Sequence, residues 1–201
     1  SECLVGSEMC IRDRQKPLTD YVNPMLGTAT LWDSVDLGFK PTKRTWGAEV
    51  FPGSSLPNAM VQVSPVTKFH SGAGYQYEDS VIYGFTHTNK GHWNLCHIPL
   101  LPVTGTPTPG DYCSPFSHER ESAAPGYYQV FLDRYGVDAQ LSSTLRCAFH
   151  KYTYPAGAAP AVLADLQRSN EHVRAWDIRK EGDNVFAGWQ QTGEKLSLIH
   201  I

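Results

Sequence analysis

Apolar and polar positions alternate in short stretches along the chain, with few of the long 3.6-residue periods that mark amphipathic helices. Strand-like runs lie at 59–64, 81–88, 97–104, 127–133, 137–144, 145–154, 161–166, 176–179 and 185–191. Arg134-Tyr135-Gly136 and the stretch 181–184 fall between consecutive runs and carry the glycine and Asx chemistry of tight hairpin turns. Short strands at this spacing, without helices between them, predict an all-β, antiparallel β-sandwich rather than a parallel α/β sheet. The stretch 104–110, rich in threonine, proline and glycine, reads as a surface loop, because the same β character resumes after it.

The composition agrees with this pattern: 14 prolines, 17 glycines and 10 tyrosines in 201 residues favour strands and turns. A formal net charge of −3 supplies no basic stripe for nucleic acid, and no run approaches the roughly 18 apolar residues of a membrane-spanning helix. Of the 5 cysteines, Cys3 and Cys10 lie in an atypical leader and the other three are odd in number, so no disulfide framework follows. The octapeptide at 7–14 and the hexapeptide at 196–201 resemble translated sequencing-adapter sequence. Residues 1–15 and 196–201 are therefore set aside as foreign, which leaves one domain over 16–195. On that reading the chain is an internal piece of something longer.

The densest chemistry lies in Gly84-Phe-Thr-His-Thr-Asn-Lys-Gly-His-Trp-Asn-Leu-Cys-His97, where three histidines, a tryptophan, two asparagines and a cysteine are packed between strand-like runs. One large aromatic beside several hydrogen-bonding side chains suits a pocket for a hydroxyl-rich ligand such as a sugar. The loop Trp46-Gly-Ala-Glu-Val-Phe-Pro-Gly-Ser-Ser-Leu-Pro57 combines glycine and proline in a sharply turned backbone that can present amides to a ligand. Trp46 and Phe51 serve equally well there as plugs of the core.

Other chemistries fit less well. His87, His92, Cys96 and His97 are zinc-type ligands, but they form neither a Cys-x2-Cys pair nor a His-Glu-x-x-His helix. Cys96 and His97, adjacent on a strand, would point to opposite faces, which discourages a thiol nucleophile activated by its neighbour. No Gly-x-Ser-x-Gly elbow is present. Glu49, Glu78, Asp79, Glu119, Glu121, Asp165 and Asp177 show no pairing by spacing and read mostly as solvated or capping groups. Asp165 follows an apolar stretch and is expected to be partly buried with Arg168 as its partner.

The order of several segments resembles the amino-terminal domain of glycoside hydrolase family 92, the exo-acting α-mannosidases. The resemblance rests on Tyr21-Val-Asn-Pro-Met-Leu-Gly-Thr28, Val50-Phe-Pro-Gly-Ser-Ser-Leu-Pro-Asn-Ala-Met-Val-Gln-Val-Ser-Pro65 and Tyr83-Gly-Phe-Thr-His-Thr88. It continues in Phe116-Ser-His-Glu-Arg-Glu-Ser-Ala-Ala-Pro-Gly-Tyr-Tyr128, which matches a Ser-His-x-x-Glu-x-x-x-Pro-Gly-Tyr-Tyr pattern, and in the stretch 146–154. The match spans about residues 21 to 195, and its specificity lies in the ordered combination.

The resemblance implies a two-domain enzyme in which this β-sandwich packs on a larger (α/α)6 barrel. The barrel would carry the catalytic acid and base and a calcium ion, Ca2+, and the reaction would invert the anomeric centre. Inverting sites hold their two carboxyls about 6.5–9.5 Å apart, and neither is assigned to a residue of this chain. The sandwich would supply rim loops of the mannose pocket, with Trp46, Phe51, Gly53, His87, Trp93, Asn94, Cys96 and His97 as substrate-binding residues. Trp93 would stack on the sugar, and His87, Asn94 and His97 would hold its hydroxyls. Export to the periplasm or cell surface is expected by analogy, with a mannose-containing glycan and the protein's own barrel as partners. The chain departs from the commoner pattern at 89–96 and in a long insertion over 29–44. The alternatives are a free-standing carbohydrate-binding β-sandwich module without catalysis, and a plain structural domain.

Overall fold

The computed structural model describes residues 16–31, 38, 50–90, 93–193 and 197–200. Trp46 and His92, both named above, lie outside them, as do Cys3 and Cys10. The strands in chain order are β1 (Ser54–Ser55), β2 (Gln62–Val66), β3 (Val81–Ile82), β4 (Gly84–Thr86), β5 (Asn89–Lys90), β6 (Trp93–Asn94), β7 (Leu100–Thr104) and β8 (Ser114–Pro115). They continue with β9 (Glu121–Ala124), β10 (Tyr127–Leu132), β11 (Val137–Ser143), β12 (Ala148–Thr153), β13 (Pro160–Ala164), β14 (Val173–Lys180), β15 (Phe186–Thr192) and β16 (Ser197–His200).

Two antiparallel sheets form the expected sandwich, one ordered β1-β2-β4-β7-β13 and the other β12-β11-β10-β9. Strands β10 and β11 bury every second residue, so Tyr128, Val130, Leu132, Val137, Ala139 and Leu141 all face the first sheet. There they meet Val63, Phe85, Leu101 and Val103, and this cluster is the core. A buried Ser54–Ser143 hydroxyl contact of 2.7 Å ties the edge of one sheet to the other. A third sheet, β14-β15-β16, follows. Its outer strand, Ser197–His200, pairs with β15 and lies within the stretch set aside as foreign.

Strand positions follow the sequence reading, and the differences have local causes. The 81–88 run is divided: β3 pairs with β8, whereas β4 joins β2 and β7. The change of partner falls at Gly84, where φ is 152° and an added Cβ would come within 2.9 Å of Pro99 Cβ. The 97–104 run becomes a strand only at Leu100, since Cys96 and Ile98 hold φ of 51° and 44° and Pro99 has no N–H for a ladder. The stretch before β12 turns back on itself, Thr144 N–H donating to the Cys147 carbonyl at 2.8 Å.

The Ser-His-x-x-Glu-x-x-x-Pro-Gly-Tyr-Tyr pattern proves to be one hydrogen-bonded unit. Glu121 was expected among solvated or capping carboxylates; instead its side chain is 1% exposed. It accepts from the Tyr128 hydroxyl at 2.6 Å and the Tyr75 hydroxyl at 3.0 Å, and lies 2.5 Å from His118 Nδ1. His118 Nε2 meets the Tyr77 carbonyl oxygen at 2.7 Å, and the imidazole stacks on the Tyr77 ring. Both ring nitrogens therefore face oxygen acceptors.

Candidate functional site

The polar segment after β4 folds back across the outer face of its own strand. Strands β5 and β6 make a small ribbon, Leu95 N–H returns to the Thr88 carbonyl at 3.1 Å, and Asn94 N–H donates to the Gly72 carbonyl at 2.8 Å. Since Phe85 points into the core, Thr86 points the other way, and its hydroxyl lies 3.2 Å from Asn94 Oδ1.

Asn94 is fully buried and holds this turn together. Its Oδ1 accepts the Cys96 N–H at 2.8 Å, and its Nδ2 donates to the Ala73 carbonyl at 3.3 Å. Its own carbonyl accepts from Asn170 Nδ2 at 2.5 Å. Gly74 lies so close that an added Cβ would sit 2.5 Å from Asn94 Nδ2. Cys96 is not on a strand, as expected above, but in a left-handed turn of the loop, fully buried, and burial pushes its thiol up to about 12. Cys96, Cys113 and Cys147 are all free thiols.

His97 is 3% exposed and bridges the first sheet to the third. Its Nδ1 lies 3.2 Å from the Thr88 hydroxyl and its Nε2 3.1 Å from the Thr192 hydroxyl, which in turn donates to Glu171 at 2.9 Å. Because Thr192 spends its proton on Glu171, it accepts from His97. The ring is thus the Nε2–H tautomer, with Nδ1 accepting from Thr88. Burial lowers His97 to about 4, against a smaller upward pull from the Glu171 charge.

His87 belongs to a different cluster. Its Nε2 approaches His150 Nε2 at 2.7 Å, and His150 Nδ1 approaches the Tyr152 hydroxyl at 2.6 Å. Burial lowers His87 to about 4; burial, and then the charge of His87, lowers His150 to about 3. Two rings that both stay neutral can share the one proton between their facing nitrogens. Trp93 is partly exposed on the ribbon, and Phe51 is partly exposed ahead of β1. Gly53 has a packing reason to be glycine, since a Cβ there would fall 2.0 Å from the Val63 carbonyl oxygen.

The structure thus separates the histidines of the segment rather than gathering them. Among the described residues no group of three or more His, Cys, Asp or Glu side chains converges as a metal site, and these residues do not fit a calcium cage. Asp165 and Arg168 are neighbours without being directly paired: the Tyr112 hydroxyl donates to Asp165, and Arg168 reaches that hydroxyl at 3.4 Å. His150, Tyr152, Glu171 and Thr192 were not singled out from the sequence, because each is a lone polar residue on an otherwise ordinary strand or loop. The roles of His150, Glu171 and Thr192 come from pairings across 21 to 95 positions, and Tyr152 joins them through His150.

A second surface is apolar. Val162, Ile178 and Phe186 are between 41% and 61% exposed, and they line a cavity of about 350 Å3 with Ile98, Leu100 and Trp189.

The model of the glycosyl hydrolase family 92 N-terminal domain matches residues 21–197. No curated protein sequence matches significantly. Among solved structures, the family GH92 α-mannosidase BT3965 of Bacteroides thetaiotaomicron superposes with a TM-score of 0.74 at 28% identity, over 87% of this chain and 24% of that one. The same enzyme in complex with mannoimidazole gives 0.73 at 28% identity, over 87% and 23%. The inverting GH92 mannosidase BT2199 of the same organism gives 0.69 at 25% identity, over 89% and 24%. The chain spans about a quarter of the length of these relatives. With the family model matching residues 21–197 and the solved structures superposing over most of its length, the chain belongs to glycosyl hydrolase family 92, as its N-terminal domain.

Proposed function

We propose that the chain is the N-terminal part of an exo-α-mannosidase that hydrolyses terminal α-mannosides of glycans with inversion, and that it is inactive alone. The observation that carries this reading is the family-model match over residues 21–197, joined to likeness with mannosidases about four times as long. The acid, the base and the calcium ion belong in this reading to the remainder of the protein. Calcium would supply a charged anchor for sugar hydroxyls there.

This domain's part is to shape one wall of the mannose pocket. Trp93, the partly exposed aromatic of the polar segment, is the stacking face. Asn94, Cys96 and His97 direct their polar groups inward, so they act by holding the wall in shape. The apolar surface at Val162, Ile178 and Phe186 is the docking face for the (α/α)6 domain, since burying such side chains stabilises an interface at about 25 cal/mol per Å2. Action on external glycans places the protein in the periplasm or at the cell surface.

The test is the complete reading frame, expressed with and without Trp93→Ala and assayed on α-mannosides, with the anomer released first read by proton NMR. Inverted product, turnover lost on chelation and a large rise in KM for the variant are expected. Turnover by the 201-residue chain alone, retained configuration, or a Trp93→Ala enzyme with unchanged KM and kcat would each sink part of this reading.

A further inference from the structure

A second concave site lies away from the polar segment. A cavity of about 630 Å3, within the usual range for small-molecule sites, opens between the loop before β8 and the turn after β13. Its lining includes Tyr112, Asp165, Gln167, Arg168 and Trp176. Gln167 and Trp176 also line a neighbouring depression of about 470 Å3 with Arg174, so the indole stands as a wall between two hollows. Trp176 is 42% exposed, unusual for so large an aromatic.

The polar groups here are held in place. The Arg168 guanidinium lies 4.3 Å from the Phe69 ring centre and 4.7 Å from that of Tyr83, which fixes its plane. Among the described residues its hydrogen bonding is limited to the Tyr112 hydroxyl, leaving most of its N–H donors for a ligand. Asp165 accepts from the Tyr112 hydroxyl through one oxygen and from Gln167 N–H at 2.9 Å through the other, and each oxygen retains a lone pair. Gln190 Nε2 donates to the Leu166 carbonyl at 2.8 Å and pins the turn that carries these groups. A rigid donor, a rigid acceptor and an exposed indole face therefore border one hollow.

We propose that this cleft is a saccharide-binding site separate from the Trp93 wall. A pyranose would lay its C–H face on Trp176 and share its hydroxyls between Arg168 as donor and Asp165 as acceptor. The Asp165 carboxylate disfavours a phosphate or carboxylate ligand, and the charged pair disfavours an apolar one. Use of a mannoside as the first probe rests on the functional reading above; the cleft itself does not.

The experiment is saturation-transfer NMR on the 201-residue chain with methyl α-D-mannopyranoside, repeated with methyl α-D-glucopyranoside. Transfer to at least one of the two is expected. Its affinity should fall about tenfold or more in Trp176→Ala, roughly the contribution of one aromatic stacking contact. Asp165→Asn and Arg168→Met should weaken it too, while Trp176→Phe retains most of it and Trp93→Ala leaves it unchanged. Amide dispersion reports that each variant is folded, and Gln167→Ala, at an exposed position, gives a variant with little risk to folding. No transfer from either sugar to the folded chain overturns the proposal. So does transfer that survives Trp176→Ala but is lost in Trp93→Ala, an outcome that would leave the Trp93 wall standing as the sugar site.

Discussion

Replacing Glu121 tests whether the Ser-His-x-x-Glu-x-x-x-Pro-Gly-Tyr-Tyr motif around it is held by a single buried acceptor. Tyr75 and Tyr128 are 3% and 0% exposed, and both direct their hydroxyls at this carboxylate. In Glu121→Ala both phenols lose their acceptor inside the protein, at about 1–3 kcal/mol each, so a loss of about 2–6 kcal/mol is expected. Glu121→Gln keeps one accepting oxygen for the phenols and loses the charge-assisted contact to His118, which predicts a milder loss of about 1–2 kcal/mol. Urea unfolding followed by tryptophan fluorescence measures this, and with a slope of about 2 kcal/mol per molar the alanine variant should shift its midpoint down by about 1–3 M. The decisive arm is Glu121→Ala made in a Tyr75→Phe, Tyr128→Phe background. No phenol remains to be orphaned there, so the cost of losing Glu121 should shrink by more than half. An undiminished cost would refute the hydrogen-bond account and point to the charge or the volume of the side chain instead.

Three further outcomes follow from the same structure. His87, His97 and His150 are lowered from 6.5 to about 4, 4 and 3, so the unfolded chain takes up their protons first. Stability should be whole above pH 6.5 and decline as the pH falls toward 4, by up to about 1.4 kcal/mol per pH unit for each group. Urea midpoints that stay level from neutrality down to about pH 5, where carboxylates contribute little, would contradict the neutral buried pair. Gly53→Ala must move the Val63 backbone, since its Cβ would lie 2.0 Å from that carbonyl oxygen, and should cost about 1–3 kcal/mol in the same assay; a neutral substitution would show that the loop yields freely. Alkylation with iodoacetamide, read by peptide mass spectrometry, should mark exposed Cys147 rapidly and buried Cys96 only on unfolding, and early labelling of Cys96 would mean that the 93–97 turn opens in the native state.

The sandwich was legible because its strands keep a period of two where one face is solvated: β10 and β11 bury alternate residues, and their hairpin turn is spelled by Gly136 at φ of 63°. Legibility failed where backbone geometry interrupts an apolar run, as at Gly84 and Ile98, since a change of strand partner leaves no mark in hydropathy. The polar segment was visible as an anomaly, and its dense hydrogen bonding explains why. Once Thr86 turns outward from the central strand β4, something must cover it, and a loop that lies on a buried strand has to satisfy its own peptide groups with side chains. Asn94, Thr88 and His97 do this for the segment, with Asn170 and Thr192 as partners from the far end of the domain. Several of the residues that suggest a ligand site therefore also hold this loop on the sheet. What separates neighbours in this segment is exposure, which no sequence pattern reports: Trp93 is partly exposed and Asn94, next to it in the chain, is fully buried. For the same reason the cleft at Trp176 escaped notice, since an exposed tryptophan on a strand reads in sequence as one more core residue, and Arg168 and Asp165 read as an ion pair until the Tyr112 hydroxyl is seen between them.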